Sequence, residues 1–272
     1  MSPHTPSLPH PHGRSVLVTG GSVRLGAQIC RAFAQAGWDV WCHYHRSAEA
    51  AQALCTELSS TWGVQARTVA GDLARAEDRQ DLMAHIVHTS GALGCLVNNA
   101  SSFDPDSAEG LDSAAMQQQL AVNLVAPMEL SALMARSLVT PQRRGAHSVI
   151  HILDQKVFNL NPDYFSYTLS KLALERAVAL QAQALAAKLR VCGVAPGLMF
   201  LSGPQTEENF ALAGRMNLMQ RPTDPGEVAR SCVFLAENEA ITGVTLAVDN
   251  GQHLIPLPND VMVVVDQVLQ AP

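Results

Sequence analysis

Charge and aromatic rings are both scarce in this chain. Of 272 residues, 15% are charged and 5% aromatic. The formal net charge is -6, and no basic run reaches the clusters that grip nucleic acid. A nucleic-acid partner is therefore not expected, and any phosphate site must be local. Long apolar runs are missing too. The plainest, Val261 to Val265, is far short of the roughly 20 residues that cross a bilayer, so no membrane partner is expected. The first residues, MSPHTPSLPHPHG, lack a charged stretch followed by an apolar one and do not read as a secretory signal. Cysteine pairs are also lacking. Cys30, Cys42, Cys55, Cys95, Cys192 and Cys232 include no C-x-x-C and read as reduced thiols of a cytoplasmic protein. His4, His10 and His12 could bind metal, but the prolines around them favour a disordered, solvated tail over 1–13, and no metal site is expected.

What is present is Ala, Leu and Val. At 47% hydrophobic, the chain can bury a sheet under helices on both faces. Strand and helix signals alternate. Strands are expected in SVLVTG (15–20), DVWCHYH, VQARTVAG, CLVNNA, HSVIHIL, LRVCGVAPG and TLAVDNG. Helices are expected over 24–37, 48–62, 77–90, 113–138, 164–188 and 225–237. This order indicates one α/β domain over 14–254, a doubly wound parallel sheet of about seven strands with helices on both faces. Residues 198–224, rich in Met, Pro and Gly, read as a substrate lid. Residues 255–272 form a C-terminal extension, expected as a helix or strand docked on its own or a neighbouring subunit.

In such sheets ligands bind beyond the carboxyl ends of the strands. The first strand ends in TGGSVRLG, where Gly20 allows a tight turn and Gly26 a close helix approach. The helix N-terminus behind it offers free N–H groups to a pyrophosphate, and Arg24 could reach a phosphate or an anionic ring. The second strand ends in His45-Arg46-Ser47, with no acid to accept a ribose 2′-hydroxyl. Arg46, flanked by His45 and Ser47, suits a 2′-phosphate, hence NADP(H). Asp72, before Leu73, either meets an adenine amine or caps the next helix. Asn98, Asn99 and Ala100 place amides and small residues on the cofactor's path.

Tyr167 and Lys171 lie one helical turn apart. A free phenol has a pKa of roughly 10, and a neighbouring ammonium is expected to lower it toward the range useful for proton exchange. Tyr164, with Thr168 at its +4 position, reads as lining. Asp154 stands thirteen residues before Tyr167.

These motifs, with Asn123 in NLVAP, APG at 195–197 and VDNG at 248–251, resemble the short-chain dehydrogenase/reductase family. The resemblance implies a Rossmann-type fold, usually a tetramer, a cofactor contact for Leu25, Pro196 and Gly197, and a relay of Asn123, Tyr167 and Lys171. Arg24 in the glycine turn, HYHRSAEA, VNNASSF and Asp154 are similar to the pteridine reductases within that family. This implies that Asp154 acts with Tyr167 and Lys171, that Phe103 stacks the pterin, and that Ser101 and Arg24 contact phosphate and ligand. Leu198 and Met199 would wall the pocket. The chain departs from that pattern at Val23, at Met199 and across the lid. An ionised aspartate cannot donate to the developing oxygen of a ketone. It can accept N–H groups of a pterin and, when its pKa is raised by burial, pass a proton. The expected activity is NADPH-dependent reduction of a dihydropterin, biopterin-like compound or dihydrofolate. The alternatives are reduction of another carbonyl or imine, and a non-catalytic NADP-binding sensor.

Overall fold

The computed structural model describes residues 14–139, 144–203 and 205–270. The proline- and histidine-rich stretch 1–13, with His4, His10 and His12, lies outside the described residues.

The first strand shows how the sheet is built. In β1 (Ser15–Val18) all four residues are buried, because Val16 and Val18 face one helical layer while Leu17 faces the other. β2 (Asp39–Tyr44), β3 (Ala66–Ala70), β4 (Cys95–Asn98), β5 (Ser148–Ile152), β6 (Arg190–Pro196) and β7 (Thr245–Val248) complete the set. They form one sheet in the order β3-β2-β1-β4-β5-β6-β7, and every pairing is parallel. The direction of winding reverses between β1 and β4, which opens a crevice at their carboxyl ends.

Helices α1 (Arg24–Gln35), α2 (Ala48–Trp62) and α3 (Ala76–Ser90) follow the first three strands. The expected helix over 113–138 is three pieces: α4 (Ser113–Leu120), a π turn (Ala121–Val125) and α5 (Ala126–Ser137). The reason lies in Pro127, which has no N–H to give the carbonyl of Asn123 four residues back. The Ala126 N–H bonds instead to Ala121, five residues back. After β5 come a 3₁₀ turn (Gln155–Val157) and α6 (Phe165–Ala184). The 198–224 segment holds one short helix, α7 (Glu207–Ala213).

The next helix, α8 (Pro225–Glu237), starts at Pro225 because Asp224 caps it, accepting the Gly226 N–H, and proline tolerates the first turn. The extension forms α9 (Val261–Leu269), docked on its own chain with Val261, Met262 and Val265 buried. Helices α1, α2 and α8 bury one face of the sheet, α3 and α5 much of the other. All six cysteines are buried and unpaired. No described helix is long and apolar enough to cross a membrane.

Candidate active site

A cleft of 430 Å³ lies over the carboxyl ends of β1, β2 and β4, lined by Gly20, His45, Arg46, Ser47, Asp72, Leu73, Ala100 and Ser101 among others. Its floor is a rigid hydrogen-bonded turn. The Thr19 hydroxyl accepts the N–H groups of Asn99 (2.9 Å) and Ala100 (3.0 Å), and Asn99 Nδ2 donates to the carbonyls of Thr19 and Gly20. The Asn99 amide therefore points into the protein, where it ties β4 to the glycine turn, and not along the cleft. Gly20 adopts a left-handed φ of +58°. A Cβ at Gly26 would overlap the Gly20 carbonyl and approach Asn99 Nδ2 to 2.8 Å, so only glycine lets α1 come this close.

His43 locks the same turn from beneath. Its Nδ1 accepts the Gly20 N–H (3.0 Å), which leaves Nε2 as the donor to the Gly71 carbonyl (3.1 Å). Burial pushes this imidazole down to about 4, so it stays neutral. Sequence reasoning passed over His43 because a histidine inside a strand carries no periodic signal.

Several expected contacts differ in the structure. Asp72 does not cap α3, which begins after Arg75. It closes a local turn by accepting the Ala74 N–H (3.0 Å) and lies 3.9 Å from His45. The side chains of Leu25 and Pro196 are buried and outside the cleft walls. Arg46 is exposed, lines the cleft and has no hydrogen-bond or ion-pair partner among the described residues.

A second cleft, of 190 Å³, adjoins the carboxyl ends of β5 and β6. Arg24, Phe103, Asp154, Tyr167, Gly197, Leu198 and Met199 all line it. Tyr167 Oη donates to Asp154 Oδ2 at 2.9 Å, and Asp154 Oδ1 accepts the Lys156 N–H at 2.8 Å. The carboxyl group thus caps the 3₁₀ turn with one oxygen and holds the phenol with the other. Asp154 opens only partly to the cleft, and burial raises its pKa above the usual carboxylate range.

The expected lowering of the Tyr167 pKa does not occur. Burial, reinforced by the Asp154 charge and hydrogen bond, pushes it well above the ordinary phenol value. Lys171 lies beneath the ring, 5.6 Å from its centroid, and donates to the Ile152 carbonyl at 2.8 Å. Its own pKa is lowered by burial to about 8, against the pull of Asp154.

Phe103 stacks on Tyr164 at 4.1 Å and meets Tyr167 edge-on at 4.6 Å, so Tyr164 backs the wall rather than forming it. The Asn123 side chain bonds to Ser101, Ser102 and Ser170 and reaches neither Tyr167 nor Lys171. Arg24 holds a left-handed φ of 50° and spans from the glycine turn to the 198–224 segment. Its Nη2 donates to the Leu201 carbonyl (2.9 Å), and it lies 5.0 Å over the Phe200 ring. Gln155, in the same wall, buries a side-chain oxygen with no hydrogen-bond partner among the described residues. Neither Gln155 nor Lys156 carries a sequence pattern that would have marked it.

A doubly wound parallel sheet, a glycine turn at its switch point and a buried tyrosine–lysine pair beside it define a dinucleotide-dependent oxidoreductase. A family model described as short chain dehydrogenase matches residues 14–209. The chain belongs to that family. It is 31% identical to "Pteridine reductase 1" of Leishmania tarentolae over 88% of this chain and 96% of that one. Among solved structures it is similar to FolM Alternative dihydrofolate reductase 1 of Brucella suis in complex with NADP. That match has 38% identity and a TM-score of 0.83, over 88% of this chain and 95% of the other. The Brucella canis protein of the same name, also complexed with NADP, is 37% identical with a TM-score of 0.81, over 88% and 94%.

Proposed function

We propose that this protein reduces a pterin, either a dihydropterin of the biopterin type or dihydrofolate, with NADPH. The observation that carries the reading is the 2.9 Å bond between Tyr167 and a half-buried Asp154 of raised pKa, in a cleft walled by Phe103.

The chain's residues fit the cofactor. The overlap at Gly26 reserves the close approach of α1 that a pyrophosphate needs, and Arg46 keeps an unpaired guanidinium for a 2′-phosphate. Bound NADPH supplies a hydride to the carbon of a C=N bond. The partner nitrogen then needs a proton. Tyr167, kept as a phenol by burial, is placed to give it, and Asp154 is placed to return one to the tyrosine. Lys171 fixes the tyrosine from below and can hold a ribose hydroxyl. Phe103 offers a flat surface for the ring. Residues 198–224 act in this reading as the lid.

The test is NADPH oxidation with dihydrobiopterin, dihydrofolate and a panel of ketones. Turnover on a pterin is expected, falling by about 10²–10⁴-fold in Tyr167→Phe. Asp154→Ser should lose pterin turnover by at least about tenfold while leaving ketone turnover level or improved. Ketone turnover with no pterin turnover would assign the protein to the carbonyl reductases, and Asp154→Ser with full pterin activity would remove the carboxylate's role.

A further inference from the structure

The C-terminal helix is tied to both working parts of the second cleft. Asp260 caps α9, its Oδ1 accepting the Met262 N–H at 3.1 Å, while Oδ2 pairs with Lys156 Nζ at 2.8 Å. The lysine side chain is 3% exposed. Its ammonium also donates to Asn161 Oδ1 (3.1 Å) and the Asp163 carbonyl (3.3 Å), so all three hydrogens are used. The Asp163 carboxylate returns the link by accepting the Asp260 N–H at 2.6 Å.

Lys156 is also the residue whose backbone N–H holds Asp154. The side chain that anchors α9 and the amide that aims the carboxyl group therefore belong to one residue. On its far side α9 grips the 198–224 segment. Buried Asn209, in α7, donates to the Met262 carbonyl (2.8 Å) and to Asp266 Oδ1 (2.6 Å). Between these two attachments Met262 packs on Tyr164 and Tyr167, and Asp260, Val261 and Met262 line the cleft.

We propose that α9 is a strut of the ligand site in its own chain, with Lys156 and Asp260 as positioning residues that fix the Asp154 turn and the apolar wall facing Tyr167. A buried ion pair is a weak source of net stability, because desolvation offsets its attraction. At this seam its value is geometric. Val261 and Met262 line the same cleft as Phe103, and the apolar wall they add suits a flat ring. This last point and the pterin KM rest on the pterin reading; the exchange of α9 does not.

Hydrogen exchange of the full-length protein without ligand tests the strut directly. Lys156→Met leaves the half-buried Asp260 carboxylate without its ammonium partner, so exchange across 261–269 should quicken at least about tenfold while α8 stays unchanged. The double variant Lys156→Met, Asp260→Asn carries no stranded charge and should release α9 less. In kinetics, the pterin KM of Lys156→Met should rise about tenfold with the NADPH KM within about twofold, since the lost contacts serve one ligand.

Should Lys156→Met fail to fold, Met262→Ala leaves both charges in place and should raise the pterin KM alone. Val268→Ala, on the exposed side of α9, should match the native protein. Unchanged α9 exchange, or pterin and NADPH KM moving together, would overturn the strut. A native protein inactive on every pterin would remove the functional reading yet leave the exchange result standing.

Discussion

Asp154 and Tyr167 show what one carboxyl group does to a phenol. The sequence places an ammonium one turn from Tyr167 and so suggests a lowered pKa. In the fold the tyrosine is buried and bonded to Asp154, and both effects favour the protonated phenol. Lys171 shifts by its own burial, down to about 8. A tyrosine held in this way stays a phenol and not a phenolate. Arg46 is the other residue with a separable role. Among the described residues it has no partner to lose, so Arg46→Ala should leave the fold unchanged. The NADPH KM should rise about tenfold or more while the NADH KM changes little, as steady-state kinetics with both nucleotides would show. Equal effects on the two would remove the 2′-phosphate assignment.

At the scale of elements, the sequence was most legible where a local rule had no competitor. β1 reads as buried because Val16, Leu17 and Val18 each meet a helical layer, and α8 starts where Asp224 and Pro225 say it should. The 113–138 helix misled because its period is unbroken and one missing N–H, at Pro127, redirects the backbone. Asn99 and Asp72 were placed at the right strand ends, but which way a side chain turns depends on partners remote in sequence, such as Thr19 for Asn99. The α9 anchor was illegible for the same reason, since nothing near Lys156 announces Asp260. The glycine turn allows a sharp test. Gly26→Ala must displace α1 and should cost roughly 3 kcal/mol or more in urea unfolding, with loss of NADPH binding by fluorescence. Gly63→Ala, at a left-handed φ of +70° in open space, should cost only about 1–2 kcal/mol and leave NADPH binding intact.

For the whole molecule, two interior histidines govern the response to acid. His43 and His151 are fully or nearly fully buried, and burial lowers each from 6.5 to about 4. The unfolded chain therefore binds more protons than the folded one between those values, and stability falls as pH drops from 6.5 towards 4. Each histidine contributes up to roughly 3 kcal/mol to this loss. Glu57, Asp78, Asp112 and Glu129, whose pKa values are lowered, add their losses only once the pH falls into the carboxylate range. Asp154, with a raised pKa, works in the opposite direction. Urea midpoints measured from pH 7 to 4 should decline across the imidazole window; a flat profile down to 4 would show that neither histidine is held neutral by the fold.

The docking of α9 on its own chain bears on any assembly the protein forms. However many copies associate, Asp154, Tyr167 and the Asp260 wall travel in one polypeptide. A copy damaged at Tyr167 and another damaged at Asp260 hold their faults in separate chambers, and neither can lend its sound half to the other.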